Sequence, residues 1–539
     1  MPLLIVMATA FLVILPFFFL GNPSGHDFEF HVNSWMEVLG QWRQGILYPR
    51  WAALAHYGYG EARFIFYPPV SWTLGAALGA MLPWKTVPGV YVWLALTLSG
   101  CSMFLLARQW LDRSDAIFAA ALYAANPYYI VIVYWRSAFA ELLAGALLPL
   151  LLLYVLRDEE DGKQAVIPLA AIVATAWLTN IPAAVMVNYS LVLLIVILAI
   201  LKRSARYLLY GAFAVLLGAA LAAFFLVPAA YERRWVNISE VLSAGVRPQD
   251  NFLFAKINDL DHNRFNLLVS LVALAEMIVL AVAVYFSGLW KRRQPVVWWS
   301  VLGWALLAAL LNFSFTLLLW EHLPELRYLQ LPWRWLLCLS VSFALLVTMA
   351  SRRWMARIFC AVAICGALTF VWHRVQTPWW EASTDFDEMF EHQRSGAGYE
   401  GTDEYVPVGG DPYEIKQDAA HVAPNDDGAR LDQVGLERWN AESRVFTARV
   451  DRPEDLVLRL FNYPAWRVEV NGHAVAPSTR DVTGQMVIPV QAGENRVQIT
   501  FTRTWDRTFG GIISAVTALL LGGFIMLRRK HLNSSANVA

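Results

Sequence analysis

Long apolar runs alternate with short polar connections over most of the chain. Runs of about 20 apolar residues lie near 2–20, 88–107, 115–133, 139–156, 165–180, 182–201, 207–227, 266–289, 295–313, 331–350, 358–376 and 508–527. A helix rises about 1.5 Å per residue, so each run is long enough to cross a hydrocarbon layer of about 30 Å. The first run lacks the basic start and small-residue cleavage site of a signal peptide and is read as a span. The stretch 67–84 is also apolar, but it opens on Tyr67-Pro68-Pro69 and carries Pro83 near its end. Basic residues decide its status. Arg108 and Arg113, Lys202, Arg203 and Arg206, Lys291 to Arg293, Arg352, Arg353 and Arg357, and Arg528 to Lys530 all sit in short connections. The positive-inside rule places every one of them in the cytoplasm only if 67–84 does not fully cross. The pattern therefore predicts a polytopic α-helical membrane protein with about twelve full spans, a re-entrant or tilted segment at 67–84, and both termini cytoplasmic. The outer face then receives 21–87, the turn 135–140, the loops 228–265 and 314–330, and the polar region 377–507.

Within the polar region the period changes. Residues 377–441 are rich in Gly, Asp, Glu and Pro and read as an irregular linker. Strand patterns follow at 445–450, 456–461, 466–470, 486–490 and 496–501, with Asn471-Gly472 as a hairpin turn signal between two of them. This predicts a small extracytoplasmic all-β sandwich over 442–507. It lies between a membrane domain, 1–376, and a last span with its cytoplasmic tail, 508–539.

Composition agrees. Of 539 residues, 58% are hydrophobic and 16% charged, against roughly 25% charged in soluble domains. Mean hydropathy is +0.46. The 42 basic and 42 acidic side chains cancel, which leaves no field for a phosphate backbone and argues against nucleic acid as a partner. The 24 Trp and 20 Tyr suit the headgroup level. Cys101, Cys338, Cys360 and Cys365 all lie in apolar stretches, so no disulfide framework is indicated.

Candidate chemistry concentrates on the predicted outer face. The first loop opens Gly25-His26-Asp27-Phe28-Glu29-Phe30-His31. Apolar residues at Phe28, Val32, Trp35, Leu39, Trp42 and Ile46 then predict an amphipathic helix lying in the interface. Asp27 at its start has two readings: a helix cap, or a carboxylate facing a lipid-borne substrate. His26, Asp27, Glu29 and His31 match no zinc spacing, and oxygen ligation of Mg²⁺ or Mn²⁺ by Asp27 stays open beside a purely polar role for His31.

The second outer turn carries Arg136 and, at the mouth of the next apolar run, Glu141. A charge in a span costs roughly 2.5–3.5 kcal/mol, so Glu141 either has a function or simply pairs with Arg136. The fourth outer loop carries Arg327 and ends Leu331-Pro332-Trp333-Arg334. A guanidinium there grips phosphate bidentately or snorkels to the interface. The loop 228–265 exceeds a usual connection and hints at a lid. No GxxxxGK[ST], HExxH or GxSxG is present.

Taken in order, these residues resemble the GT-C superfamily of integral-membrane glycosyltransferases. More closely they resemble bacterial membrane proteins labelled "6-pyruvoyl-tetrahydropterin synthase-related", with some likeness to YfhO-type proteins. The likeness rests on Gly25-His26-Asp27, Phe66-Tyr67-Pro68-Pro69, Trp135 to Glu141, Leu329 to Arg334, and Tyr463 to Val468 with Asn471-Gly472. Nothing in the chain matches the pterin chemistry of that label. The resemblance implies an acidic residue in the first outer loop near the acceptor, matched by Asp27. It implies a second acidic position in the next outer turn, where relatives often have Asp and this chain has Glu141. It also implies a sugar donor on a polyprenyl phosphate, with Arg334 matching a phosphate-holding arginine by position. On this reading Asp27 and Glu141 are catalytic, and His26, His31, Arg136, Arg327 and Arg334 bind substrate. Any metal, Mg²⁺ or Mn²⁺, falls to Asp27 and Glu141. The acceptor is a glycan, lipid or protein, and membrane lipid is a further partner. Two alternatives stand beside this: a non-enzymatic transporter of lipid-linked sugar or cell-envelope polymer, and a scaffold of an envelope assembly. Within the sandwich, Trp466 and Trp439 are either glycan-stacking platforms or core.

Overall fold

The structure is a computed structural model that describes residues 1–157, 165–351, 354–374, 380–425, 431 and 433–536. Each of the apolar runs contains helix, but not every run is one continuous crossing. Among the described residues, eight helices are long and apolar enough to span a membrane: Pro2–Leu20, Trp84–Ala107, Arg113–Arg136, Phe139–Arg157, Ile181–Leu201, Leu260–Phe286, Pro332–Ala350 and Trp505–Leu527. The runs 207–227 and 295–313 are bent pairs instead. Arg206–Leu221 meets Ala223–Trp235 at 77°, and Pro295–Leu310 meets Ser314–His322 at 96°. Val166–Thr179 has 14 residues and stops at Asn180, whose side chain accepts from the Ala183 amide and starts the next helix. Trp354–Arg374 is helical, while Arg352, Arg353 and 375–379 fall outside the described residues. Among the described residues, helices long and apolar enough to cross a membrane number eight, or up to ten if each bent pair is one span, against the twelve runs in the sequence. Two of the runs differ because hydropathy sums side chains and is blind to a backbone break; the other two are the short helix Val166–Thr179 and the helix Trp354–Arg374, which borders residues outside the described ones. In the ambiguous stretch 67–84, Pro69–Gly79 forms a helix of 11 residues. That is roughly 16 Å, about half a hydrocarbon thickness.

Packing divides the chain into two units that cut across the linear boundaries. One comprises Met1–Val32, Pro69–Ala219 and Val241–Phe386. The other comprises Asn33–Pro68, Ala220–Glu240 and Asp387–Ala539. In the first, Leu336–Ala350 is apolar on every face and buried almost throughout, as a central helix must be. Trp84–Ala107 packs against Pro2–Ile14 and Arg113–Ala124. Gly100 permits the approach, since a Cβ there would lie 2.5 Å from Val6.

The second unit holds two antiparallel sheets. The four-stranded sheet runs in the order Val422–Pro424, Glu454–Phe461, Gln485–Val490, Ser478–Thr479. The five-stranded sheet runs Gln433–Trp439, Ser443–Val450, Gly493–Phe501, Trp466–Val470, His473–Val475. Asn471 and Gly472 both adopt positive φ, +53° and +81°, as a two-residue hairpin turn requires. The turn joins Trp466–Val470 to the short strand His473–Val475, which the alternation had not revealed. The supposed linker 377–441 is not irregular throughout: it contributes the helix Ser383–Ser395 and two sheet strands. Trp466 is buried edge-on against Trp51 and Phe501 and belongs to the core; Trp439 packs on His421 and Phe446.

Candidate functional site

The span Arg113–Arg136 ends in one widened turn, Ile132–Arg136, and Ser137 follows in the left-handed region at φ +50°. A helix end leaves carbonyls without intrahelical donors. Here the segment that follows the first helix supplies them. The His26 amide donates to Trp135 O at 3.2 Å and the Asp27 amide to Arg136 O at 2.8 Å. The Gly25 amide donates to Ser137 Oγ at 3.0 Å, and that hydroxyl donates to Pro23 O at 2.9 Å. The two segments lie so close that a Cβ on Gly25 would stand 2.5 Å from the Arg136 carbonyl carbon. This is the physical reason for glycine before His26-Asp27.

The zipper delivers Asp27 to the edge of a buried charge layer. Arg136 Nη2 donates to Asp27 Oδ2 at 3.4 Å, and its Nη1 to Glu141 Oε2 at 2.5 Å. Arg334 Nε donates to the same Glu141 oxygen at 3.2 Å, and Tyr128 donates to Glu141 Oε1 at 2.6 Å. The Trp333 ring lies 5.0 Å from the Arg136 guanidinium. Arg334 Nη1 is held by Leu329 O at 2.5 Å and Gln330 Oε1 at 3.3 Å. Its Nη2 makes no hydrogen bond among the described residues. Glu141 is 2% exposed and saturated by three donors, whereas Asp27 keeps 29% of its side chain exposed.

His26 Nδ1 pairs with Asp27 Oδ1 at 2.9 Å, and its ring is 82% exposed. Burial pushes the Asp27 carboxyl upward, but the His26 hydrogen bond and the Arg136 charge outweigh it, and Asp27 titrates well below the usual range. The same hydrogen bond and charge raise His26 above 6.5, against an opposing effect of burial.

Several expectations change. The Asp27 carboxylate does not cap the helix Phe28–Arg43 that follows it; among the described residues its oxygens go to His26 and Arg136. That helix does not lie on a lipid surface with one wet face, because residues 31–39 are all buried. Arg327 stays out of the cluster, exposed and bonded to the Tyr328 hydroxyl. His31 is buried with its ring against Phe139 at 5.2 Å. Arg136 bridges Asp27 and Glu141. Among the described residues no three His, Cys, Asp or Glu side chains are grouped to hold an ion. Tyr128, Gln330 and Ser137 complete the cluster; Gln330 and Ser137 fall within motifs that carry the family likeness without a role assigned to them, and Tyr128 carries no signal in the sequence pattern.

A second buried network lies in the other unit. Glu61 bonds Arg63 Nε at 2.5 Å, His56 Nε2 at 2.9 Å and the Thr402 amide at 2.8 Å. Arg63 reaches Ser34 Oγ at 2.8 Å, and Tyr399 donates to Glu37 at 2.5 Å. Gly401 leaves room for it, since a Cβ there would lie 2.2 Å from His56 Nε2. Burial raises the Glu61 carboxyl, but Arg63 and the bonds from His56 and Thr402 bring it from 4.5 down to about 2. A depressed carboxylate contributes stability that is present above its unfolded value and lost as pH falls through the folded one. The shift is worth on the order of 3 kcal/mol. Wild type should lose that stability between about pH 5 and pH 2. Glu61→Gln should lack this acid-labile component, and an acid unfolding series on the two proteins checks it.

Comparison with known proteins adds the following. A crystal structure of the Archaeoglobus fulgidus oligosaccharyltransferase in complex with zinc and sulfate aligns at 13% identity and a TM-score of 0.37, over 75% of this chain. The chain spans about half of that protein, 54%. No curated protein matches the chain. The model of the 6-pyruvoyl-tetrahydropterin synthase related domain, described as a membrane protein, matches residues 64–376, more than half of the sequence. The protein with the Asp27–Arg136–Glu141–Arg334 layer thus belongs to the 6-pyruvoyl-tetrahydropterin synthase related family of membrane proteins.

Proposed function

We propose that this membrane protein is a glycosyltransferase that moves a sugar from a polyprenyl-phosphate-linked donor to a glycan, lipid or protein acceptor, with inversion, at the extracytoplasmic face of a bacterial inner membrane. One observation carries the reading: a part-exposed carboxylate, Asp27, stands at the edge of a layer in which Glu141 holds two guanidinium groups side by side. Asp27 orients the acceptor hydroxyl. The acceptor oxygen attacks the anomeric carbon and the bond from that carbon to the phosphate oxygen breaks. Polyprenyl phosphate leaves with the electron pair, met by Arg136 and by the free Nη2 of Arg334. Fixed cations aimed at a developing charge are electrostatic preorganisation. Glu141 touches no substrate in this scheme; it is a positioning residue for both arginines.

A carboxylate titrating as low as Asp27 is a weak base. The acceptor proton therefore passes through Asp27 to the exposed His26, its hydrogen-bond partner. His26 takes a proton only when neutral, and its pKa lies above 6.5. Transfer is expected to rise with pH through a midpoint above 6.5 in wild type, and this limb should flatten in His26→Gln. A pH–rate profile on both proteins reads the difference.

The direct test is purified protein in vesicles with a polyprenyl-phosphate sugar labelled in the sugar. Consumption of the donor with release of polyprenyl phosphate supports the proposal. The two bent helix pairs suit a second reading, transport, because transporter sites use broken helices. Donor that changes leaflet without being consumed would favour that reading instead.

A further inference from the structure

Glu276 lies well inside the 27-residue helix Leu260–Phe286, one of the eight apolar spans, and is 2% exposed. Among the described residues neither of its carboxyl oxygens has a hydrogen-bond partner. Polar neighbours on the same buried face make hydrogen bonds, although Asn266 Oδ1 is likewise without a partner among the described residues. Asn266 Nδ2 donates to Phe252 O at 3.0 Å and Ala255 O at 2.9 Å. Ser270 Oγ donates to Asn266 O at 2.6 Å and accepts from the Phe254 amide at 2.8 Å. These side chains pin the preceding loop. Glu276, deeper along the helix, pins nothing.

The elements packed against this helix are Pro127–Val131, Leu336–Ala350, Pro332–Trp335 and Gly288–Arg293. They carry Tyr128, Tyr129, Cys338, Arg334 and Lys291 to Arg293 as their titratable or charged groups. The helix itself carries Asp261, His262, Arg264 and Tyr285 besides Glu276. None of these pairs with Glu276. Tyr128 hydroxyl and Arg334 are committed to Glu141, Tyr129 to Ser99, and Cys338 to Ser190. The one group that bears on the carboxyl from Pro127–Val131 is the Tyr128 backbone amide, which interacts with it weakly, outside full hydrogen-bond geometry.

An isolated carboxylate in such surroundings is expensive and takes up a neutralising ligand. A metal cation needs several ligands at once, and among the described residues Glu276 belongs to no group of three His, Cys, Asp or Glu side chains that could hold one. We infer that Glu276 is an intramembrane proton-binding site, occupied at neutral pH, so that the span carries a neutral carboxylic acid. The ligand is a proton, and the site is independent of the glycosyl-transfer reading.

Infrared difference spectroscopy in lipid nanodiscs tests it. At neutral pH, wild type should show a protonated-carboxyl C=O band that is lost in Glu276→Gln. Helical content and thermal stability should be nearly unchanged, because a neutral acid and its amide differ little in size or polarity. Identical carboxylic-acid absorbance in the two proteins would overturn the assignment. Loss of folded protein on the Gln substitution would overturn it as well, since only an ionised Glu276 holding a structural contact predicts that cost.

Discussion

Asp27→Asn is expected to yield a folded, membrane-inserted protein whose sugar transfer falls by at least about a hundredfold, the low end of what a positioned acid–base group supplies. The fold should survive for a local reason. What ties Asp27 into the protein is its backbone amide on Arg136 O, and an asparagine keeps that bond. Arg136 also retains Glu141. What disappears is the negative charge that accepts the acceptor hydroxyl's hydrogen bond and relays to His26. Donor binding, which rests on the arginines, should change little, so the loss should fall on turnover. Near-normal turnover in this variant would remove Asp27 from the reaction.

The largest stability loss is expected at Glu141. It is the common acceptor for Arg136, Arg334 and Tyr128, all buried. Breaking a buried ion pair from one side costs about 3–5 kcal/mol, because the stranded charge stays behind. Glu141→Ala strands two guanidinium groups and should lie at the upper end of that range in thermal unfolding in detergent. The second variant, Glu141→Ala with Arg334→Met, removes one stranded charge and should recover part of the loss. A single substitution costing under about 1 kcal/mol would mean that the two arginines find other partners and that Glu141 does not organise the layer.

Much of the membrane architecture is legible from apolar run length alone, since a helix of about 20 residues is what a bilayer demands. The 77° bend is not legible, because it falls at Ala222 between equally apolar residues; the 96° bend falls at Asn312 and Ser314, whose polarity marks an end to the run but not its angle. The Asn471-Gly472 turn is readable because two successive residues at positive φ leave few alternatives. The strands Val422–Pro424 and Gln433–Trp439 are hidden in polar surroundings; the second is exposed along most of its length and shows no alternation.

The charge layer is half readable. Asp27, Arg136, Glu141 and Arg334 stand out because charges near spans are costly. Arg327 stands out for the same reason and lies elsewhere, exposed beside Tyr328. Cost singles out a charge but says nothing about its partner. Tyr128 escapes notice because a tyrosine near a helix end is unremarkable until the fold aims it at Glu141, and Gln330, although inside a motif, gives no sign in sequence that it will hold Arg334. The Glu61–Arg63–His56 network escapes for a related reason: its members become a buried set only when residues near 400 return to cover them.

The placing of a lipid phosphate on Arg334, in the pocket that Asp27 borders, is tested most directly by a cryo-electron-microscopy structure of the full chain in nanodiscs with polyprenyl monophosphate. The phosphate should sit within hydrogen-bond reach of Arg334 Nη2, about 2.7–3.2 Å, with Asp27 on the same side of the membrane. A phosphate bound away from Arg334, or on the opposite side from Asp27, would contradict the proposed site.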